Sequence, residues 1–148
     1  MPSVTAPSSP RRARLARKVA TGGSALALAA SGLFLSAGPA SAATSCSGPD
    51  CTGKDPAATV CQNDARTVAT NSLGVELRYS PTCRSAWARY SGTTGMTVWV
   101  SSNTGLNQAI LHPGNGASAW TAMIDDKGIL AHACGYVSGF GSECTSWY

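Results

Sequence analysis

Six cysteines (Cys46, Cys51, Cys61, Cys83, Cys134 and Cys144) all lie downstream of residue 42, and none lies before it. The first 42 residues follow the three-part plan of a secretory signal. A basic stretch (Arg11, Arg12, Arg14, Arg17, Lys18) precedes an apolar run from Ala25 to Leu35, and Ala40-Ser41-Ala42 supplies a small-residue cleavage site. The apolar run is shorter than the roughly 20 residues a membrane span needs, so cleavage after Ala42 and no stable membrane insertion afterwards are expected. Arg11-Arg12 raises twin-arginine export, but the general secretory route suits a chain that must oxidise outside the cytoplasm. The domain plan is a signal peptide over 1–42 and one disulfide-bonded extracellular domain over 43–148.

Charge has to be read on either side of that boundary. The whole chain carries a formal net charge of +4, with 11 basic and 7 acidic residues. Five of the basic residues belong to the signal, so residues 43–148 carry six against seven acids, a net charge of −1. The electrostatic footprint of a nucleic-acid binder is therefore missing, and no nucleic-acid partner is expected.

A domain of about 100 residues hides only about two-thirds of its unfolded surface, so staples of about 2–4 kcal/mol each matter against a total stability of about 5–15 kcal/mol. Six cysteines allow fifteen complete pairings, which sequence alone does not resolve. The pairing we expect is Cys134 with Cys144, Cys61 with Cys83, and Cys46 with Cys51. The spacing C-x4-C-x9-C-x21-C-x50-C-x9-C contains no C-x-x-C knuckle and no histidine at finger spacing. Structural disulfides are expected over zinc, with no metal and no cofactor.

Asp55-Pro56 reads as a cap followed by proline at the first helical position, giving at most a short helical turn near the N-terminus. Beyond it the chain reads as short strands. Val75, Leu77 and Tyr79 alternate with Glu76, Arg78 and Ser80, and Met96, Val98 and Val100 alternate with Thr97, Trp99 and Ser101. Further candidates are 65–71, 85–91, 106–112, 118–124 and 129–137. Turns are expected at Asn103-Thr104-Gly105, Pro113-Gly114-Asn115-Gly116 and Asp125-Asp126-Lys127-Gly128. About seven short strands predict an all-β, mainly antiparallel fold, a small disulfide-stapled barrel or sandwich, the choice between them staying open.

Residues Cys46 to Pro56 (CSGPDCTGKDP), Cys61 to Ala65 (CQNDA) and Val75 to Arg89 (VELRYSPTCRSAWAR) resemble the signature of a bacterial domain-of-unknown-function family, number 2690. The resemblance implies a small exported domain, common in actinobacteria, found alone or on the outer side of a membrane-anchored protein with a cytoplasmic DNA-binding module. It brings no activity and no catalytic residue, and the anchored arrangement leans toward sensing over turnover.

No residue pattern forms a nucleophile elbow. Gly53-Lys54 lacks the hydroxyl residue a phosphate loop needs, since Asp55 follows. His132 alternates with Leu130 and Cys134, so a disulfide facing inward would carry it inward as a hydrogen-bonded structural histidine. His112, at a turn, is expected to be solvated. Glu76, Arg78 and Arg89 with His132 are the set to consider for ribonuclease-like phosphodiester chemistry, a base beside a cation that stabilises the phosphorane; a solvated strand face with charge pairs is the plainer expectation. Asp125-Asp126 reads as a turn before it reads as a calcium site.

The aromatic residues are the stronger lead. Trp99 shares a face with Thr97 and Ser101, Trp87 alternates with Arg89, and Trp120 shares a face with Ala122 and Ile124 and is expected in the core. Exposed tryptophans beside polar residues offer platforms for glycans or proteins, although burial against a second sheet is the commoner fate of such a ring. Trp87, Arg89 and Trp99 are the candidate binding residues. The leading expectation is a non-enzymatic extracellular binding or sensing domain for a cell-envelope component, glycan or protein partner. The alternatives are a small secreted hydrolase and a protease inhibitor exposing Arg84 or Arg89.

Overall fold

A computed structural model of the protein describes residues 42–148. The expected export signal lies outside the described residues except for Ala42. Among the described residues three short 3-10 turns come first, Gly48–Cys51, Pro56–Ala58 and Val60–Asn63. Asp55 caps the second as its sequence predicts, its Oδ1 accepting from the Ala57 amide at 2.9 Å. Nine strands follow: β1 (Arg66–Thr70), β2 (Glu76–Ser80), β3 (Ser85–Tyr90), β4 (Met96–Ser102), β5 (Asn107–His112), β6 (Ala119–Trp120), β7 (Ile124–Asp125), β8 (Ala131–Val137) and β9 (Gly141–Cys144).

The strands form two antiparallel sheets. The first runs β1-β2-β3-β6, with β7 on the same edge of β3, and the second runs β5-β4-β8-β9. No described ladder joins them, so the architecture is a sandwich and the barrel alternative falls. The main core lies between the sheets, where Leu77, Ala86, Ala88 and Tyr90 of the first meet Met96, Val98, Val100, Ala131, Ala133 and Val137 of the second. These are the inward positions that period-two alternation selects.

A second core lies on the other side of the first sheet. Cys51, Cys61, Cys83, Trp87 and Met123 are buried together beneath the N-terminal segment. The three disulfides join Cys46 with Cys51, Cys61 with Cys83, and Cys134 with Cys144, as expected. The first two touch: Cys46 Sγ lies 3.5 Å from Cys61 Sγ. Together they pin the N-terminal segment onto the sheet. The β2–β3 hairpin they clasp is braced by Asp64, whose carboxylate accepts from Ser80 Oγ at 2.5 Å and from the Thr82 amide at 2.8 Å.

The expected single strand over 118–124 is broken. Arg89 pairs with Trp120 and Ala86 with Ile124, so one more residue lies on the 120–124 side than on β3. Thr121 takes up the slack, its Oγ1 accepting from the Ala88 amide at 3.1 Å. A one-residue bulge reverses facing. Ile124 therefore points into the main core while Trp120 points out and is 37% exposed, contrary to the expectation that Trp120 shares the face of Ile124 and is core.

Gly114, in the expected turn after β5, has φ +77°, and a Cβ there would lie 2.5 Å from the Gly95 amide nitrogen. Only glycine permits that approach. The same turn corrects the reading of His112, which is 1% exposed. Its Nδ1 accepts from the Gly114 amide at 3.0 Å, and its Nε2, 2.8 Å from the Ala117 carbonyl oxygen, donates to it.

Candidate functional site

Cross-strand pairing places Arg78 opposite Trp87 and Glu76 opposite Arg89, and Arg89 in turn opposite Trp120. Directly opposed residues share a face, so these side chains form two adjoining rows across β2, β3 and β6 on the outward side of the first sheet. Over them the N-terminal segment and the loop before β6 raise a wall. The result is an open groove of about 220 Å³ lined by Pro56, Ala57 and Gln62 along the wall and by Arg78, Trp87, Arg89 and Trp120 along the sheet, with Ala65 and Ser118 completing the lining.

The charged side chains of the groove hold one another through Glu76 and Thr67. Arg89 Nη2 donates to both oxygens of Glu76, at 3.0 and 2.8 Å. Thr67 Oγ1 donates to Glu76 Oε2 at 2.5 Å. Arg78 donates from Nη1 to Thr67 Oγ1 at 2.8 Å and from Nη2 to the Ala65 carbonyl at 2.9 Å. Partial burial raises the Glu76 pKa, but the Thr67 and Arg89 hydrogen bonds and the two guanidinium charges outweigh it and hold the carboxyl below its usual value. Burial and the nearby Arg89 charge lower Arg78 against the pull of Glu76. The Trp120 indole is fixed by its Nε1–H, which donates to Asp55 Oδ1 at 2.8 Å. Trp87 is 4% exposed and shows the groove part of a ring otherwise sunk in the second core.

The phosphodiester set does not assemble. His132 pairs with Ser101, and Cys134 with Trp99, so both lie on the outward face of the second sheet, not inward as the alternation with the disulfide suggested. His132 stacks on Trp147, ring centroids 3.8 Å apart and 10° from parallel, and this burial lowers its pKa. Glu76, Arg78 and Arg89 meet on the opposite outward face without a second base. Trp99 also lies outward and half-buried on the second sheet, beside Thr97 and Ser101, so Trp87 and Trp99 do not form one surface.

Arg84 has φ +50°, its amide donates to the Ser80 carbonyl at 2.7 Å and its carbonyl accepts from the Asp126 amide at 3.1 Å. A left-handed, doubly bonded residue does not offer the extended backbone that strand-like peptide recognition uses. Gly53 and Lys54 pair with the Met123 backbone at 2.9 Å in both directions and form no phosphate loop. Asp125 Oδ1 accepts from the Lys127 amide at 2.9 Å, as a turn aspartate does.

The sequence reading missed Trp120 and Gln62 as groove residues. Trp120 is hidden by the bulge, and Gln62 has no periodic neighbour to flag it; its Nε2 donates to the Ala57 carbonyl at 3.1 Å.

The fold and site define a small disulfide-braced β-sandwich with a tryptophan- and arginine-lined groove on one sheet. The chain belongs to the family described as "Protein of unknown function (DUF2690)", whose model matches residues 49–134. That span contains the groove and the Cys61–Cys83 bridge. No curated protein and no solved structure matches the chain.

Proposed function

We propose that this is a non-enzymatic extracellular binding domain for a component of the cell envelope, with the groove over β2, β3 and β6 as its ligand site. The observation that carries the reading is the convergence of Trp87, Trp120, Arg78 and Arg89 on one concave surface. Aromatic area with a few fixed polar groups is the composition of a recognition site. Turnover by the candidate set has no such support, because Glu76 is tied to Arg89 and Thr67 while His132 occupies the other sheet. Three disulfides suit service outside the cytoplasm, and no helix of the described residues is long and apolar enough to cross a membrane.

The test is binding of the purified domain to washed cell-envelope fractions, with Trp120→Ala and Trp99→Ala as paired variants on opposite sheets. Loss of at least about tenfold in affinity for Trp120→Ala alone, with unfolding midpoints unchanged, supports the groove. Loss for Trp99→Ala alone moves the site to the second sheet, and equal retention in both removes the tryptophans from recognition.

A further inference from the structure

We infer that the groove takes a single saccharide ring bearing a carboxylate; the inference rests on the groove being the ligand site and adds the chemistry of what it holds. The charged residues lining the groove are both cations, Arg78 and Arg89, in a domain whose net charge over residues 43–148 is −1. Of the nearby carboxylates, Glu76 is taken up by Thr67 and the two guanidiniums, and Asp55 is turned to the Trp120 indole and the Ala57 amide. Glu76 is the carboxylate that contacts the two guanidiniums, so Arg78 and Arg89 together carry one positive charge beyond their ion partner.

Arg89 has hydrogen-bonding capacity left over. Every hydrogen bond its guanidinium makes to a described residue runs from Nη2 to Glu76, and its Nε, shielded from solvent, has no partner. Nη1 makes none of these bonds. Nη1 is therefore the donor left to meet a ligand carboxylate, on a guanidinium that Glu76 already orients, so the ordering cost is small.

The rest of the lining points to a sugar. Trp120 is 37% exposed and locked by Asp55, so it presents a fixed aromatic surface. The Gln62 amide and Ser118 hydroxyl add donors and acceptors that suit ring hydroxyls. The cavity, about 220 Å³, lies below the roughly 300–1,000 Å³ of sites for drug-sized ligands. One ring with its substituents fits such a volume better than an oligomer.

The experiment is titration of the oxidised domain, followed by heteronuclear NMR of the tryptophan and arginine side-chain resonances, with three probes. N-acetylmuramic acid and N-acetylglucosamine differ by one lactyl carboxylate, and N-acetylalanine carries the carboxylate without the sugar. The expected result is binding of N-acetylmuramic acid at least about tenfold tighter than either other probe, as a charge-assisted hydrogen bond implies. Its binding should shift the Trp120 indole resonance and weaken in high salt. Arg89→Lys, which keeps the charge and loses the fork, should lose most of that preference while Trp99→Ala keeps it.

Equal affinity for the two sugars overturns the carboxylate requirement, and equal affinity for N-acetylalanine overturns the sugar. Absence of binding by all three overturns the inference, whereas the groove reading falls only if Trp120→Ala also leaves envelope binding unchanged.

Discussion

Asp126 is 7% exposed, and its Oδ1 has no partner among the described residues. Burial first, and the Asp125 charge second, push its carboxyl up to about 7. In the unfolded chain such a group titrates near 3.9, so between about pH 4 and 7 the native state holds a proton that the unfolded state releases. The contribution is full below about pH 4 and is lost as pH rises through about 7. Asp126→Asn should therefore flatten the pH dependence of urea unfolding between pH 5 and 8 and raise stability at pH 8 by roughly 1–3 kcal/mol. Glu76, held low, acts in the opposite sense and stabilises only above its depressed pKa.

The tryptophans separate at the same scale. Trp87 is core and Trp99 is outward. Urea unfolding should show Trp87→Ala losing about 3–5 kcal/mol and Trp99→Ala about 1 kcal/mol or less.

At the scale of elements, β9 shows what a disulfide adds to weak strand propensity. Gly141-Ser142-Glu143-Cys144 has no apolar alternation, yet it pairs with β8, with Cys134 directly opposite Cys144. The pairing continues past the bridge, where Ala131 and Tyr148 exchange both backbone hydrogen bonds at 3.0 Å. The double variant Cys134→Ala with Cys144→Ala should cost about 2–4 kcal/mol, with amide exchange accelerating first over residues 141–148 while β4 stays protected.

This is also where the limits of sequence reading lie. Strands β2 and β4 were legible because period-two alternation selects the face that packs in the main core, whereas β1, β3, β5 and β8 were legible only as short runs between turns rich in Asn, Asp and Gly. Strand β9 was not, because its pairing is long-range and its residues are poor strand formers. Trp120 was misplaced by one bulged residue, and His132 by the assumption that a disulfide must face inward, when Cys134 is instead covered from outside by the returning C-terminal chain. Trp87, Arg89 and Arg78 could be named from sequence as candidates. Their convergence with Trp120 and Gln62 could not, because it depends on how the N-terminal segment lies on the sheet.

At the scale of the whole molecule, the two cores divide the labour. The inter-sheet core holds the sandwich, while the second core, built from two touching disulfides with Trp87 and Met123, fixes the segment that forms the groove wall. Pro56, Ala57 and Gln62 of that wall lie between Cys51 and the β1 strand, held by Cys61 and by the cap at Asp55. Removing one bridge should therefore affect the site before it affects the fold. The double variant Cys61→Ala with Cys83→Ala leaves the inter-sheet contacts of β3, β4 and β8 untouched and should cost about 2–4 kcal/mol of stability. Because the loss falls on the wall, amide exchange should rise over residues 48–63 with β4 and β8 still protected, and envelope binding should drop at least about tenfold at a temperature where the variant remains folded. Binding retained by a variant with a demonstrably loosened wall would place recognition elsewhere on the sandwich. Loss of protection throughout would show instead that the two cores form one cooperative unit, in which the groove cannot open without the sandwich opening too.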